Sequence, residues 1–141
     1  MHTGHAIITA ANLNAPQTGV VDTLFFPDAK LPCRNFRKPG GCRRAQCDYS
    51  HEPTNLTRFL DYLASATRTL DICVFTITND DIADVVLELH RRGVSVRIIT
   101  DNDQAVTQAV TANNENVVVL SDPAVIRSFQ GQFNKLWEMF R

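Results

Sequence analysis

Residues 70–103, LDICVFTITNDDIADVVLELHRRGVSVRIITDND, carry the pattern from which the fold follows. Leu70 to Ile77 is an apolar, branched run of strand length, as expected of a strand buried on both faces. Asn79 or Asp80 then opens a helix with Ile82, Val85, Val86 and Leu89 on one face, Arg91 and Arg92 in the last turn and Gly93 at the stop. Val94 to Asp101 is the next strand. This alternation predicts a parallel core, with the polar ends "ITND" and "IITDND" at one edge, where α/β proteins usually place their sites.

Upstream, Thr54 or Asn55 caps a helix whose positions Leu56, Phe59, Leu60, Leu63 and Thr67 follow i, i+3, i+4 spacing. Before that, VVDTLFFP from Val20 to Pro27 reads as a strand stopped by proline. Residues 1–19 are polar and read as a flexible lead, in which His2 and His5 are given no function. Downstream of Asp103, a short and weakly amphipathic link leads to the strand Val117 to Leu120. Asp122 and Pro123 then start a last helix, with Ile126, Phe129, Phe133, Leu136, Trp137 and Phe140 on a stripe expected to pack as core.

The 141 residues, 44% hydrophobic with a formal charge of -1, predict one ordinary domain with a small appendage and exclude a disordered chain. Six basic residues fall between Lys30 and Arg44, so the positive field is local. Cys73 lies in an apolar run and reads as a small buried hydrophobe. No stretch reaches the roughly 18 apolar residues that span a bilayer, and the first 19 residues lack the pattern of a signal peptide. A soluble chain in a reducing compartment is expected.

One segment carries a chemical signal of its own. CRNFRKPGGCRRAQCDYSH, residues 33–51, spaces Cys33, Cys42, Cys47 and His51 so that three thiolates and an imidazole can reach a single tetrahedral ion. Sulfur-rich, closed four-ligand sets suit one structural zinc ion, whereas catalytic zinc keeps a position open for water. A disulfide cluster and chance spacing are the competing readings. Arg34, Arg37, Lys38, Arg43 and Arg44 lie between the ligands, with Phe36 and Tyr49 interleaved. The segment resembles a CCCH zinc finger, in which aromatics stack on unpaired bases and basic groups meet phosphates. It forms an insertion at 33–51, after the first strand of a domain spanning 20–141.

Together, VVDTLFFP, the CCCH insertion, the helix into LDICVFTI, RRGVSVRIITDND and the tail from TQAVTANNEN onward resemble the single-motif Zucchini branch of the phospholipase D superfamily. The resemblance implies an α/β fold with a sheet flanked by helices and a homodimer with one motif per subunit. It also implies a phosphodiesterase acting as a single-strand endonuclease in piRNA biogenesis or on cardiolipin, at the cytosolic face of the mitochondrial outer membrane. In that family an H-x-K-x4-D motif followed by G-S-x-N carries catalysis, between the strand resembling VSVRIITD and the tail resembling TQAVTANNEN. Here that interval is absent, and no histidine is followed two residues later by lysine. The family's membrane anchor has no counterpart either, so a cytoplasmic location is the alternative.

No catalytic residue is therefore assigned. Glu115 matches the family's acidic residue that orients the catalytic histidine, and here it reads as a remnant or a solvated carboxylate. The abrupt join around Asp103 to Thr107 points to an isoform, an alternative gene model or a deletion. Since the missing interval supplies central strands in the family, the remaining strands either close into a small β-α-β-α-β sheet or leave edges exposed. Three functions follow: a phospholipase D-like hydrolase, a catalytically inert module binding single-stranded RNA through the finger, and an inactive dimerisation partner of the full-length enzyme. Cardiolipin or an anionic membrane is a partner by resemblance.

Overall fold

A computed structural model describes residues 7–10, 19–74, 77, 79–100 and 115–141. In chain order the elements are β1 (Ile7–Ala10), β2 (Val20–Phe26), α1 (Asn55–Ala64), β3 (Thr69–Val74), α2 (Asp80–Arg91), β4 (Ser95–Thr100), β5 (Glu115–Leu120) and α3 (Pro123–Phe140). β3 and β4 pair in parallel, Thr69 opposite Ser95 through Val74 opposite Thr100, and α2 makes the crossover between them. The helix caps follow the local chemistry. Asn79 Oδ1 accepts from Ile82 N–H at 3.1 Å, and Thr54 and Thr57 form a reciprocal capping box at α1. Asp122 Oδ1 accepts from Ala124 N–H at 2.7 Å and Val125 N–H at 3.1 Å.

Side chains on β3 alternate between two layers. Leu70 and Ile72 are buried in one core with Leu56, Phe59 and Leu63 of α1 and Val86 and Leu89 of α2. Asp71, on the opposite face, is only 2% exposed and meets α3. A sheet with helices on both faces results, as the sequence predicts.

The strands are nevertheless divided between two sheets. β1, β3 and β4 form one, with β1 antiparallel to β3, while β2 and β5 pair antiparallel in the other, from Val20 opposite Leu120 to Phe26 opposite Glu115. With β1 on one edge of β3 and β4 on the other, β3 offers no hydrogen-bonding row to β2, so β2 meets the same core through its side chains instead. Leu24 and Phe26 project into it, and the Phe26 and Phe59 rings meet edge to face at 6.3 Å. The strand Ile7–Ala10 lies within the stretch read from sequence as a flexible lead. Four residues are too few to display the alternation by which a strand is recognised.

α3 also differs from expectation. Of the stripe predicted as core, Phe133 is buried, Ile126, Leu136 and Trp137 are half-buried, and Phe129 and Phe140 are exposed. An 18-residue helix is about 27 Å long, against roughly 20 Å for the six-residue strands beneath it. Cys73, expected as a buried hydrophobe, is half-buried. Among the described residues no helix is long and apolar enough to cross a membrane.

Polar contacts bind α1 to β2. Asp22 forms an ion pair with Arg58 and accepts from Tyr62 Oη at 2.9 Å, while Asn55 Nδ2 donates to the Phe25 carbonyl at 2.9 Å. Burial raises the Asp22 pKa, but the Tyr62, Arg58 and Thr23 hydrogen bonds outweigh it and hold the carboxyl below its ordinary 3.8. A depressed folded-state pKa contributes stability that is present above about pH 4 and is lost as pH falls through the folded-state value. Asp22→Asn is therefore expected to cost about 1 kcal/mol at pH 7, with the difference from the parent shrinking on acidification below pH 4. Denaturant titrations at neutral and acid pH check this, and a pH-independent difference would reject it.

Candidate metal centre and nucleic-acid face

The finger begins and ends at a narrow neck. Pro32 and Ser50 form an isolated bridge, Cys33 N–H donates to the Ser50 carbonyl at 2.9 Å, and Ser50 N–H donates to the Leu31 carbonyl at 2.8 Å. Just outside, Asp28 accepts from the N–H groups of Asn55 and Leu56 at 2.8 and 2.9 Å, which satisfies orphan donors of α1 and fixes the exit of the finger. Nothing in the spacing around Asp28 marks it as a cap, because the helix it serves begins 27 residues later.

Between the neck strands the chain folds in tight turns: Phe36 N–H donates to the Cys33 carbonyl at 3.0 Å and Gly41 N–H to the Lys38 carbonyl at 2.9 Å. Gly40 and Gly41 have φ of 89° and 62°, a pair of left-handed positions open to glycine at no steric cost. That reversal returns Cys42 towards Cys33. The Sγ atoms of Cys33, Cys42 and Cys47 and a ring nitrogen of His51 all lie within 4.8 Å of one another. Sulfurs about 2.3 Å from a tetrahedral zinc lie roughly 3.8 Å apart, so a small contraction completes the shell.

Two independent features fit a metal ion here. His51 Nε2 is buried and has no hydrogen-bond partner, an uncompensated polar atom that a metal bond would satisfy. The thiols also act on one another electrostatically. Burial raises the Cys33 pKa, but the Asn35 backbone N–H and the contacts with Cys42, Cys47 and His51 bring it down to about 7. At Cys47 the Tyr49 N–H lowers the pKa, but burial and the Cys33 and Cys42 contacts outweigh it and leave the thiol above its ordinary value. Adjacent thiolates repel, and a cation in their midst would favour ionising all three.

The remaining finger residues divide by environment. The Phe36 ring stacks on His51 at 5.0 Å and 3° between planes. Phe36 is 47% and Tyr49 46% exposed, so both present ring surface to solvent. Arg34 Nε pairs with Asp81 Oδ1 at 2.7 Å, its Nη2 lies 3.8 Å from Asp80 Oδ2, and Arg37 Nη2 pairs with Asp61 Oδ1 at 2.8 Å. Lys38, Arg43 and Arg44 are exposed, and none makes an ion pair among the described residues. Sequence reasoning grouped all five cations together and missed Asp61, Asp80 and Asp81, which carry no local signal of that role.

His51 belongs to the Cys33, Cys42 and Cys47 cluster, and His90 is exposed on α2; His2 and His5 lie outside the described residues. Glu115 opens β5 opposite Phe26, and its side chain lies outside the described residues, as does the join from Asp103 to Thr107.

A family model described as "Cardiolipin synthase, PLD-like domain" matches residues 59–112. The mitochondrial cardiolipin hydrolase of Chlamydomonas reinhardtii is 56% identical over 176 residues, covering 93% of this chain and 79% of the relative. Those of Danio rerio and Homo sapiens are each 26% identical, over 164 and 174 residues, covering 83% and 84% of this chain and 72% and 68% of the relatives. The mixed α/β architecture and the matched domain define a phospholipase D-like protein. Within that class, the chain belongs to the family of the mitochondrial cardiolipin hydrolases. Since 93% of 141 residues is about 131, about 45 of the 176 positions aligned with the Chlamydomonas protein have no residue in this chain.

Proposed function

We propose that this chain is a non-hydrolysing member of its family, in which a zinc-bearing CCCH finger binds single-stranded RNA. The observation that carries the proposal is the convergence of Cys33, Cys42, Cys47 and His51 beneath an exposed Phe36 ring. Zinc would lock the finger as a structural ion, leaving no coordination position for water. Phe36 and Tyr49 would then stack on bases while neighbouring cations meet phosphates.

Loss of hydrolysis follows from chemistry. Phospholipase D-type phosphodiester cleavage needs a histidine nucleophile, a second acid for the leaving oxygen, and donors for the phosphate oxygens. No histidine here stands in H-x-K, and the deficit of about 45 aligned positions supports a missing catalytic interval. The relatives' names bring cardiolipin as the lipid an intact site would hydrolyse and the mitochondrion as the place, with its outer membrane, cytosolic face, as the specific site proposed.

The test is fluorescence anisotropy with labelled single-stranded RNA across a salt series, beside turnover assays on RNA and cardiolipin vesicles. Salt-dependent binding is expected, with Phe36→Ala and Tyr49→Ala each weakening it by about 1 to 3 kcal/mol. Binding that is absent or insensitive to salt rejects the RNA reading. Hydrolysis that co-purifies with the chain and survives nuclease controls rejects the inert one.

A second reading is favoured by β4, which among the described residues pairs with β3 alone and carries Ile98, 38% exposed. An incomplete sheet of this kind suits a subunit that pairs with a full-length protomer and dampens it. Mixing the two chains and finding neither heterodimer nor inhibition removes this reading.

A further inference from the structure

We propose that the finger's cations have two separate tasks: Arg34 and Arg37 hold the finger on the α/β body, while Lys38, Arg43 and Arg44 alone take the RNA phosphates. The assignment rests on the single-stranded RNA reading and specifies how that site is built.

The carrying observation is the set of body carboxylates that pair with Arg34 and Arg37 of the finger. Arg34 engages Asp81 and, at longer range, Asp80, both in the first turn of α2 behind its Asn79 cap. Arg37 engages Asp61 on α1. Each pair joins the insertion to a different helix, so together they fix its orientation as well as its attachment. Asp81 is held in place, its side chain only 23% exposed.

Polyanion binding derives much of its free energy from releasing the counterions condensed on the nucleic acid, one set per phosphate neutralised. An arginine already neutralised by a carboxylate at 2.7 or 2.8 Å must first give up that partner, and the stranded carboxylate would then repel the incoming phosphate. The exchange contributes little. Lys38, Arg43 and Arg44 have no such partner among the described residues. Arg43 is also positioned: its Nη2 lies where a side chain at Gly40 would meet it at 3.3 Å, so the guanidinium sits over the glycine turn. Asp61, Asp80 and Asp81 thus turn the RNA backbone away from Arg34 and Arg37 and leave Lys38, Arg43 and Arg44 to meet it.

The experiment compares two paired variants of the whole zinc-loaded chain, R34A/R37A and R43A/R44A, by the slope of log K against log salt for a single-stranded RNA 20-mer. Each single-strand phosphate contact contributes about 0.7 to the slope, so R43A/R44A is expected to lower it by about 1.4 and affinity by roughly 25-fold at 0.1 M salt. R34A/R37A is expected to leave the slope unchanged and to speed amide hydrogen exchange in residues 33–38, an effect absent from R43A/R44A. A slope lowered equally by both pairs overturns the division of tasks while leaving the RNA reading intact. Unchanged exchange in R34A/R37A overturns the docking role. Salt-independent binding by the parent chain overturns the RNA reading and, with it, the assignment of phosphate contacts.

Discussion

Cys47→Ser is expected to release the metal and unfold the finger while leaving the body folded. A zinc ion held by three thiolates and an imidazole contributes about 10 to 16 kcal/mol in isolated finger peptides at neutral pH, and that binding energy is also folding energy. Here the dependence should be nearly as strong, because residues 33–51 bury few apolar side chains of their own; Cys33 is the only buried hydrophobic residue there. The backbone between the neck and Gly41 is otherwise held by a few turn hydrogen bonds. Intact-mass measurement under native conditions should find one zinc per parent chain and none in the variant. Chymotrypsin should then cut the variant at Phe36 and Tyr49, and chelation of the parent should produce the same pattern. The body should survive, since its core draws on β2, α1, β3 and α2 and on no metal ligand. A metal-free parent with a protected finger would reject the zinc centre. Loss of protection on reduction alone would instead identify a disulfide cluster.

The second large effect lies on the other face of the sheet. Asp71 receives Arg97 Nε at 2.7 Å and Nη2 at 2.6 Å as a bidentate pair, and Gln130 Nε2 at 2.6 Å from α3. Arg97 also lies against two aromatic rings, its Cζ 4.9 Å from the Phe133 centroid and 5.6 Å from that of Trp137. The Asp71 hydrogen bond raises the Arg97 pKa and outweighs burial, which lowers it, so the guanidinium keeps its charge. Asp71→Ala removes the bidentate acceptor and leaves the guanidinium, beside the Phe133 and Trp137 rings, with only Asn134 Oδ1 at 3.1 Å as its hydrogen-bond partner among the described residues. Breaking a buried pair from one side costs about 3 to 5 kcal/mol; with the Arg97 side chain 30% exposed, about 3 kcal/mol is expected, or roughly 10 °C in Tm. Replacing both partners, as in Asp71→Leu with Arg97→Met, should recover most of the loss, because no uncompensated charge remains. Thermal melts of the single and double variants check this, and a single variant melting within a degree or two of the parent would reject it.

This network shows why only some of the molecule was legible beforehand. The parallel βαβ unit follows from residues 70–103 because strand length, the α2 stripe, the Asn79 cap and the Gly93 stop are all local signals, and β3, α2 and β4 fall where they point. Asp71, by contrast, interrupts an apolar run and gives no hint of its partners, which stand 26 and 59 residues away. The α3 stripe was legible as amphipathic, but its burial was not. Phe129 and Phe140 are exposed, and no local signal separates them from the buried Phe133.

The sequence by itself marked the helix starts to within a residue, the crossover unit and the candidate set Cys33, Cys42, Cys47 and His51, because each depends on residues close to one another in the chain. Tertiary structure decided the division of strands into two sheets, since β1 takes the edge of β3 and leaves β2 to pair with β5. It also decided which cations of the finger are already neutralised. Charge in sequence is a property of a residue, but available charge depends on what lies within a few ångströms, and Asp61 and Asp81 reach Arg37 and Arg34 only once α1 and α2 have packed.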